Sequence, residues 1–86
     1  MHIYFKKNFI KQYRKLKKSD KSKVDNALIV FEKNPHDPLL KNHGLVGKLT
    51  GKRAISAGFD LRIIFELEGE YVTVTMLAVG THNQIY

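Results

Sequence analysis

The sequence predicts a small α+β domain, β-α-α-β-β-β, with a helical hairpin packed on one face of a small twisted antiparallel sheet. Three observations carry this. Two amphipathic helical patterns occupy the first third of the chain, three strand-like runs fill the second half, and a stretch rich in Pro, Gly, Asn and His lies between them. At 86 residues there is room for one domain, residues 1–86. A chain of this length buries only about 60–65% of the surface that its unfolded form exposes, so the core is thin.

The elements follow in order. "HIYFK" alternates weakly and reads as a first strand ending at Lys6–Lys7. Asn8 is placed to cap a helix in which Phe9, Tyr13 and Leu16 recur at helical spacing, with Ile10 broadening the stripe. "KKSDKS" breaks that pattern, and Ser22 with Asp25 three residues on marks a second start. Val24, Ala27, Leu28 and Phe31 give the second apolar stripe, which stops near Asn34 because a residue before proline is pushed out of helical geometry. So short a joint predicts an antiparallel hairpin. "PHDPLLKNHGLVGKLTG" reads as a loop, and "KRAISA", "LRIIFEL" and "YVTVTMLAV" as strands. Glu68–Gly69 suits a two-residue turn between the last two. That register sets Leu61, Ile63 and Phe65 against Met76, Val74 and Val72 on an apolar face. Asp60, Arg62, Ile64 and Glu66 then face Thr75, Thr73 and Tyr71 on a more polar one, open to a ligand.

Charge narrows the function classes. The chain carries 15 Lys+Arg against 8 Asp+Glu, net +7. Up to Arg53 there are 14 basic and 4 acidic residues; beyond it there are 1 and 4, so the positive charge is concentrated, with nine basic residues between Lys6 and Lys23. Such a surface attracts polyanions, whether nucleic acid, an anionic membrane surface or an acidic protein segment, and for a whole domain of this charge polyanion binding is favoured over a merely solvated helix face. With no cysteine there is no disulfide framework and no thiolate metal site. No apolar run approaches the ~20 residues that span a bilayer, and the N-terminus lacks an apolar signal-peptide core, so a cytoplasmic protein without membrane attachment is expected.

His2, His36, His43 and His82 are the only histidines; no pair has helical metal-site spacing, and "GKLTGKR" lacks the context of a phosphate-binding loop. No cofactor is expected. A distributed set remains: His43 and Lys48 on the loop, Lys52 and Arg53 at the next strand, Asp60 and Arg62 on the following one, and His82 and Tyr86 at the C-terminus. The middle strands and the tail can converge at one end of a small sheet. These residue types suit RNA phosphodiester cleavage: a base takes the 2′-OH proton, an acid protonates the leaving 5′-oxygen, and a cation offsets charge at phosphorus. Histidine can fill either proton-transfer role near neutrality, arginine offers a fixed fork for phosphate, and tyrosine can stack on a base. Each residue also has an ordinary role. His43 can bond loop backbone, Arg62 can pair with Glu66 or Asp60, His82 can cap a strand end, Tyr86 can pack on the core, and Lys48 and Arg53 can be surface cations.

Over "NHGLVGKLTGKRAISAGFDLRIIFELEGEYVTVTMLAVGTHNQIY", from about Asn42 to Tyr86, the chain resembles the bacterial RelE/ParE superfamily of toxins, in particular its YafQ-like ribonuclease branch. "NHGLVGKLTGKR" and the terminal "VGTHNQIY" are the most specific parts, and the helix pair fits the family layout. The resemblance implies a small basic mRNA interferase that cuts mRNA on the ribosome without a metal and is neutralised by a cognate acidic antitoxin, meeting promoter DNA only through it. It assigns catalytic roles to His43, Asp60, His82 and the terminal aromatic Tyr86, and phosphate contact to Arg62. Lys48, Lys52 and Arg53 are the accompanying RNA-binding cations. The pattern has aspartate where this chain has Ala54 and histidine where it has Ser56, which leaves His43 or Asp60 as general base. A two- or four-residue connection after "KRAISA" would put Arg53 and Ile55 on the face of Arg62, and a three-residue one Ala54 and Ser56. The alternatives are a ParE-like gyrase inhibitor, against which Gly-Thr-His and its aromatic argue, and a degenerate toxin that acts only through its antitoxin at promoter DNA.

Overall fold

Apolar side chains from both halves of the chain meet on one face of a five-stranded sheet in the computed structural model, which describes residues 1–86. The elements are β1 (His2–Phe5), α1 (Lys7–Arg14), α2 (Lys18–Lys33), β2 (His43–Gly44), β3 (Arg53–Ala57), β4 (Leu61–Glu68), β5 (Thr73–Thr81) and α3 (His82–Ile85). Single 3₁₀ turns at Pro38–Leu40 and Gly47–Leu49 punctuate the central stretch. The strand order is β1-β5-β4-β3-β2. The α+β class and the placement of α1 and α2 on one sheet face are as the sequence predicts. Phe9 of α1 and Val24, Ala27 and Phe31 of α2 pack with Ile55, Ile63 and Phe65. Phe31 and Phe65 are fully buried and meet edge-to-face at 5.0 Å, a geometry that adds about 0.5–1.5 kcal/mol to simple burial.

The helix boundaries differ from expectation for local reasons. α2 starts at Lys18, four residues before Ser22, because Lys15–Lys17 suffice to turn the chain. Asp20 occupies its first turn, where a negative charge suits the helix dipole. Asp25 caps nothing; its carboxylate accepts the Tyr13 hydroxyl at 2.7 Å and ties α2 to α1. Asn8 lies inside α1, with Lys6 at the N-cap. The helix does end at Asn34, as Pro35 requires.

What employs Asn8 is an irregularity in β5. Phe65 pairs with Met76 but Ile64 with Ala78, so Leu77 is an extra residue, a β-bulge. The Asn8 side chain donates to the Leu77 carbonyl at 3.2 Å, and Gln12 Oε1 accepts the Val79 N–H at 2.9 Å. Thus α1 satisfies backbone groups that the bulge removes from the ladder. The bulge also keeps both Met76 and Val79 in the core, three residues apart, and sets Gly80 opposite Arg62.

The β4–β5 connection is not the two-residue turn expected at Glu68–Gly69. Glu68 pairs with Thr73, so the loop spans residues 69–72 and the register moves by four. Phe65 therefore faces Met76 rather than Val72, and Val72 is exposed. Tyr71 leaves the polar sheet face and turns into the core. Its ring stands 6.0 Å from Phe31 and 6.4 Å from Phe65, and its hydroxyl accepts from Asn42 Nδ2 at 2.9 Å. That packing holds Tyr71 at φ 74°, a left-handed conformation that costs a non-glycine residue about 1–3 kcal/mol. Two features lie outside the expected layout: β1 runs parallel to β5 at one edge, and His43–Gly44 form a short fifth strand against β3 at the other. Asn42 fastens the central loop there, donating also to the Pro35 carbonyl at 2.9 Å and accepting from Arg53 Nε at 2.8 Å.

Candidate active site

The second face of the sheet is built from the residues that alternate with the core. Three residues, Gly58–Phe59–Asp60, join β3 to β4, so Ser56 pairs with Arg62 and Ala54 with Ile64. Of the alternatives open in the sequence, Ala54 and Ser56 share the face of Arg62. Gly80 continues the Ser56–Arg62 row, and His43 continues the Ala54–Ile64 row. Ala54 is fully buried and Ser56 nearly so.

At Gly80 the chain folds back over this face. A Cβ on Gly80 would stand 2.9 Å from Gln84 Oε1 and 3.0 Å from Ile85 Cγ2, so the bare glycine lets α3 lie directly on the strand. Gln84 reaches back to accept the Thr81 N–H at 2.8 Å and closes the helix start. The single turn brings His82 and Tyr86 together, four residues apart. Their rings meet at 85° with centroids 4.5 Å apart, and the Tyr86 N–H donates to the His82 carbonyl at 3.0 Å. Desolvation raises the Tyr86 phenol above its ordinary pKa of 10.0, against the opposing pull of the nearby Arg62 charge. The phenol is therefore protonated at neutral pH and keeps its O–H to donate.

A cleft of about 590 Å³ opens beside this helix and is lined by Ser56, Asp60, Arg62 and His82, together with Lys41, Thr81, Asn83 and the apolar pair Leu39 and Phe59. Arg62 Nη1 donates to the carbonyls of Leu61 at 2.8 Å and Phe59 at 3.2 Å. It pairs with neither Asp60 nor Glu66: the sole ion pair in the molecule is Lys23–Asp20 at 3.7 Å. The guanidinium is thus oriented by neutral carbonyls, with its charge uncompensated and donors left for an anion.

The other sequence candidates divide. Tyr86 borders a neighbouring groove of about 380 Å³ with Leu45, Val46, Lys48 and Leu49, so Lys48 accompanies the tyrosine. His43 lies on β2, exposed, outside the lining of the main cleft; its Nδ1–H donates to the Lys41 carbonyl at 2.9 Å, which leaves Nε2 as the free lone pair. Arg53 pairs across from Phe65 on the helix side of the sheet, its guanidinium held by Asn42. Lys52 is half-buried before β3. Lys41, Asn83, Leu39 and Phe59 are cleft residues that sequence reasoning missed. Only Phe59 carries a signal, as an aromatic at a turn position where Gly, Asn or Asp is usual. No three His, Asp or Glu side chains converge as a metal-ligand set, and no helix is long and apolar enough to cross a membrane.

No protein-family model and no curated protein sequence matches the chain. Solved structures do. YafQ from Escherichia coli aligns over 98% of this chain and 96% of its own, with TM-score 0.81 and 20% identity. A YoeB/ParE toxin from Agrobacterium tumefaciens aligns over 95% and 99%, with TM-score 0.77 and 14% identity. YafQ in the E. coli DinJ–YafQ toxin–antitoxin complex aligns over 98% and 94%, with TM-score 0.69 and 22% identity. These likenesses run from end to end and concern architecture: the chain has the fold of the RelE/ParE superfamily toxins.

Proposed function

We propose that the protein is the toxin of a type II toxin–antitoxin system and an endoribonuclease that cleaves mRNA on the ribosome without a metal. The observation that carries this reading is the cleft in which Asp60, Arg62 and His82 meet, with Tyr86 edge-on against the histidine ring. Asp60 takes the proton of a ribose 2′-OH, whose oxygen attacks phosphorus. Arg62 neutralises the charge that builds on the non-bridging oxygens, and His82 donates a proton to the departing 5′-oxygen. The 2′-O–P bond forms as the P–O5′ bond breaks, leaving a 2′,3′-cyclic phosphate and a 5′-hydroxyl. Tyr86 holds the His82 ring at its edge and offers its phenol O–H to the ribose or base.

Asp60 is favoured over His43 as base because Asp60 shares the cleft of Arg62 and His82. Ala54 and Ser56, where the resembling pattern has acid/base residues, are buried and bring no titratable group to this face. For the same reason the degenerate toxin is the second reading. The lysines of α1 and the start of α2 lie on the other side of the sheet and suit an acidic antitoxin segment that orders as it binds. In E. coli, YafQ forms a toxin–antitoxin complex with DinJ.

Expression of wild type and His82→Ala side by side tests the proposal. Growth arrest with mRNA cleavage by the wild type alone is the expected result. Equal arrest and cleavage by the variant would overturn the role of His82. Arrest with intact mRNA and DNA-damage signalling would point to gyrase, and silence of both proteins despite antitoxin binding would select the degenerate reading.

A further inference from the structure

One residue of the cleft has no structural employment. Phe59, at the middle of the β3–β4 turn, is 94% exposed, the highest value among the large apolar side chains of the molecule. It belongs neither to the core cluster nor to any aromatic pair. Its backbone, by contrast, is held. Gly58 precedes it at φ 80°, a conformation that glycine adopts without strain, and the Phe59 carbonyl accepts from Arg62 Nη1 at 3.2 Å. The same guanidinium that faces the cleft therefore braces the turn that presents the ring. Leu39, 77% exposed, is the only other apolar residue of the cleft lining, and Lys41, two residues on, lines the same cleft.

We propose that Phe59 is a substrate-binding residue of this site, stacking its ring on an unpaired nucleobase next to the phosphate held by Arg62, with Leu39 as the apolar wall of the slot. The inference rests on the ribonuclease reading and names what that site grips. An exposed ring on a braced turn costs little entropy to order, because its backbone is already fixed. A nucleobase offers a π-face to the ring, and the flanking phosphates offer charge to Arg62 and Lys41. The substrate is single-stranded, since bases within a duplex already stack on each other and cannot reach a side chain.

The chain has no tryptophan, so Phe59→Trp introduces a sole indole reporter. Titration of that variant with a 2′-O-methyl RNA hexanucleotide, which lacks the attacking hydroxyl, is expected to quench the indole emission; the DNA duplex of the same sequence is expected not to. In steady-state cleavage of a short mRNA on programmed ribosomes, Phe59→Ala is expected to raise KM by roughly 5- to 150-fold, the alanine cost of losing one stacked base, with kcat little changed. Phe59→Trp restores KM, and the thermal midpoint of all three proteins stays together because the ring packs on nothing. If wild type cleaves RNA through His82 but Phe59→Ala matches its KM and the indole is unquenched, the stacking role fails while the ribonuclease reading stands. Quenching only by an acidic antitoxin peptide would assign the ring to that partner and overturn the proposal. If wild type neither binds the RNA nor cleaves mRNA, free or on programmed ribosomes, both readings fall together.

Discussion

Gly80→Ala separates folding from function in this molecule. Gly80 lies in β5 opposite Arg62, and its conformation suits any residue in a strand. Away from α3, exchange of glycine for alanine stabilises by about 0.4–1 kcal/mol through the unfolded chain. The added carbon, however, would stand 3.0 Å from Ile85 Cγ2 and 2.9 Å from Gln84 Oε1. Carbon pairs rest at about 3.5–4.0 Å, so α3 must retreat by about 0.5–1 Å. Gln84 cannot swing aside freely, because its oxygen holds the Thr81 N–H. Overpacking of this kind costs about 1–3 kcal/mol, so the net loss is at most about 2–3 kcal/mol and the chain stays folded. The displacement carries His82 and Tyr86 with it, and a shift of about 1 Å in catalytic groups lowers rates by about 100-fold. Urea denaturation paired with initial rates of RNA cleavage reads both effects. A folded variant that cleaves within about twofold of wild type would refute the claim that close seating of α3 on Gly80 positions His82.

Other perturbations divide the site from the scaffold. Arg62→Met removes the only cation braced by the Phe59 and Leu61 carbonyls, and cleavage is expected to fall by about 10²- to 10³-fold with folding retained. Asp60→Asn is expected to slow single-turnover cleavage by about 10²- to 10⁴-fold, whereas His43→Gln, outside the cleft lining, has a much smaller effect; the reverse order would make His43 the base. Phe31→Ala empties the contact with Phe65 and Tyr71 and is expected to cost about 3–5 kcal/mol, a large part of the stability of so small a domain, measurable as the urea midpoint. Tyr13 and Tyr86 both have phenol pKa values raised from 10.0, Tyr13 chiefly through its hydrogen bond to Asp25 and Tyr86 through burial. The unfolded chain then releases these protons first, so their contribution is full below pH 10 and is lost as pH rises through the folded values. Thermal midpoints measured across that range should fall, and less so in Tyr13→Phe.

The periodic segments were legible because their burial is one-sided. Phe9, Val24, Ala27 and Phe31 announce their helix faces, and Leu61, Ile63 and Phe65 their strand face, by spacing alone. What failed depended on contacts between distant segments. Nothing local in "ELEGEYV" says that Tyr71 abandons strand alternation; Phe31, Phe65 and Asn42 decide that. Nothing local marks Leu77 as a bulge, because the donors that make it tolerable, Asn8 and Gln12, come from α1. The same bulge sets Gly80 beside Arg62 and so aims the tail at the cleft. The sequence therefore named Asp60, Arg62 and His82 while leaving open which β3 residues join them, and Phe59 stood out only once its exposure was seen.

The central claim concerns a reaction, and the chemistry of its ends tests it most directly. Purified wild type is incubated with mRNA on programmed ribosomes and, in EDTA, with single-stranded RNA alone, and the termini of the fragments are determined. The account predicts 2′,3′-cyclic phosphate and 5′-hydroxyl ends, formed by wild type and not by His82→Ala. RNA intact in both settings, cleavage of free RNA only when a metal is added, or fragments ending in 3′-hydroxyl and 5′-phosphate would contradict it.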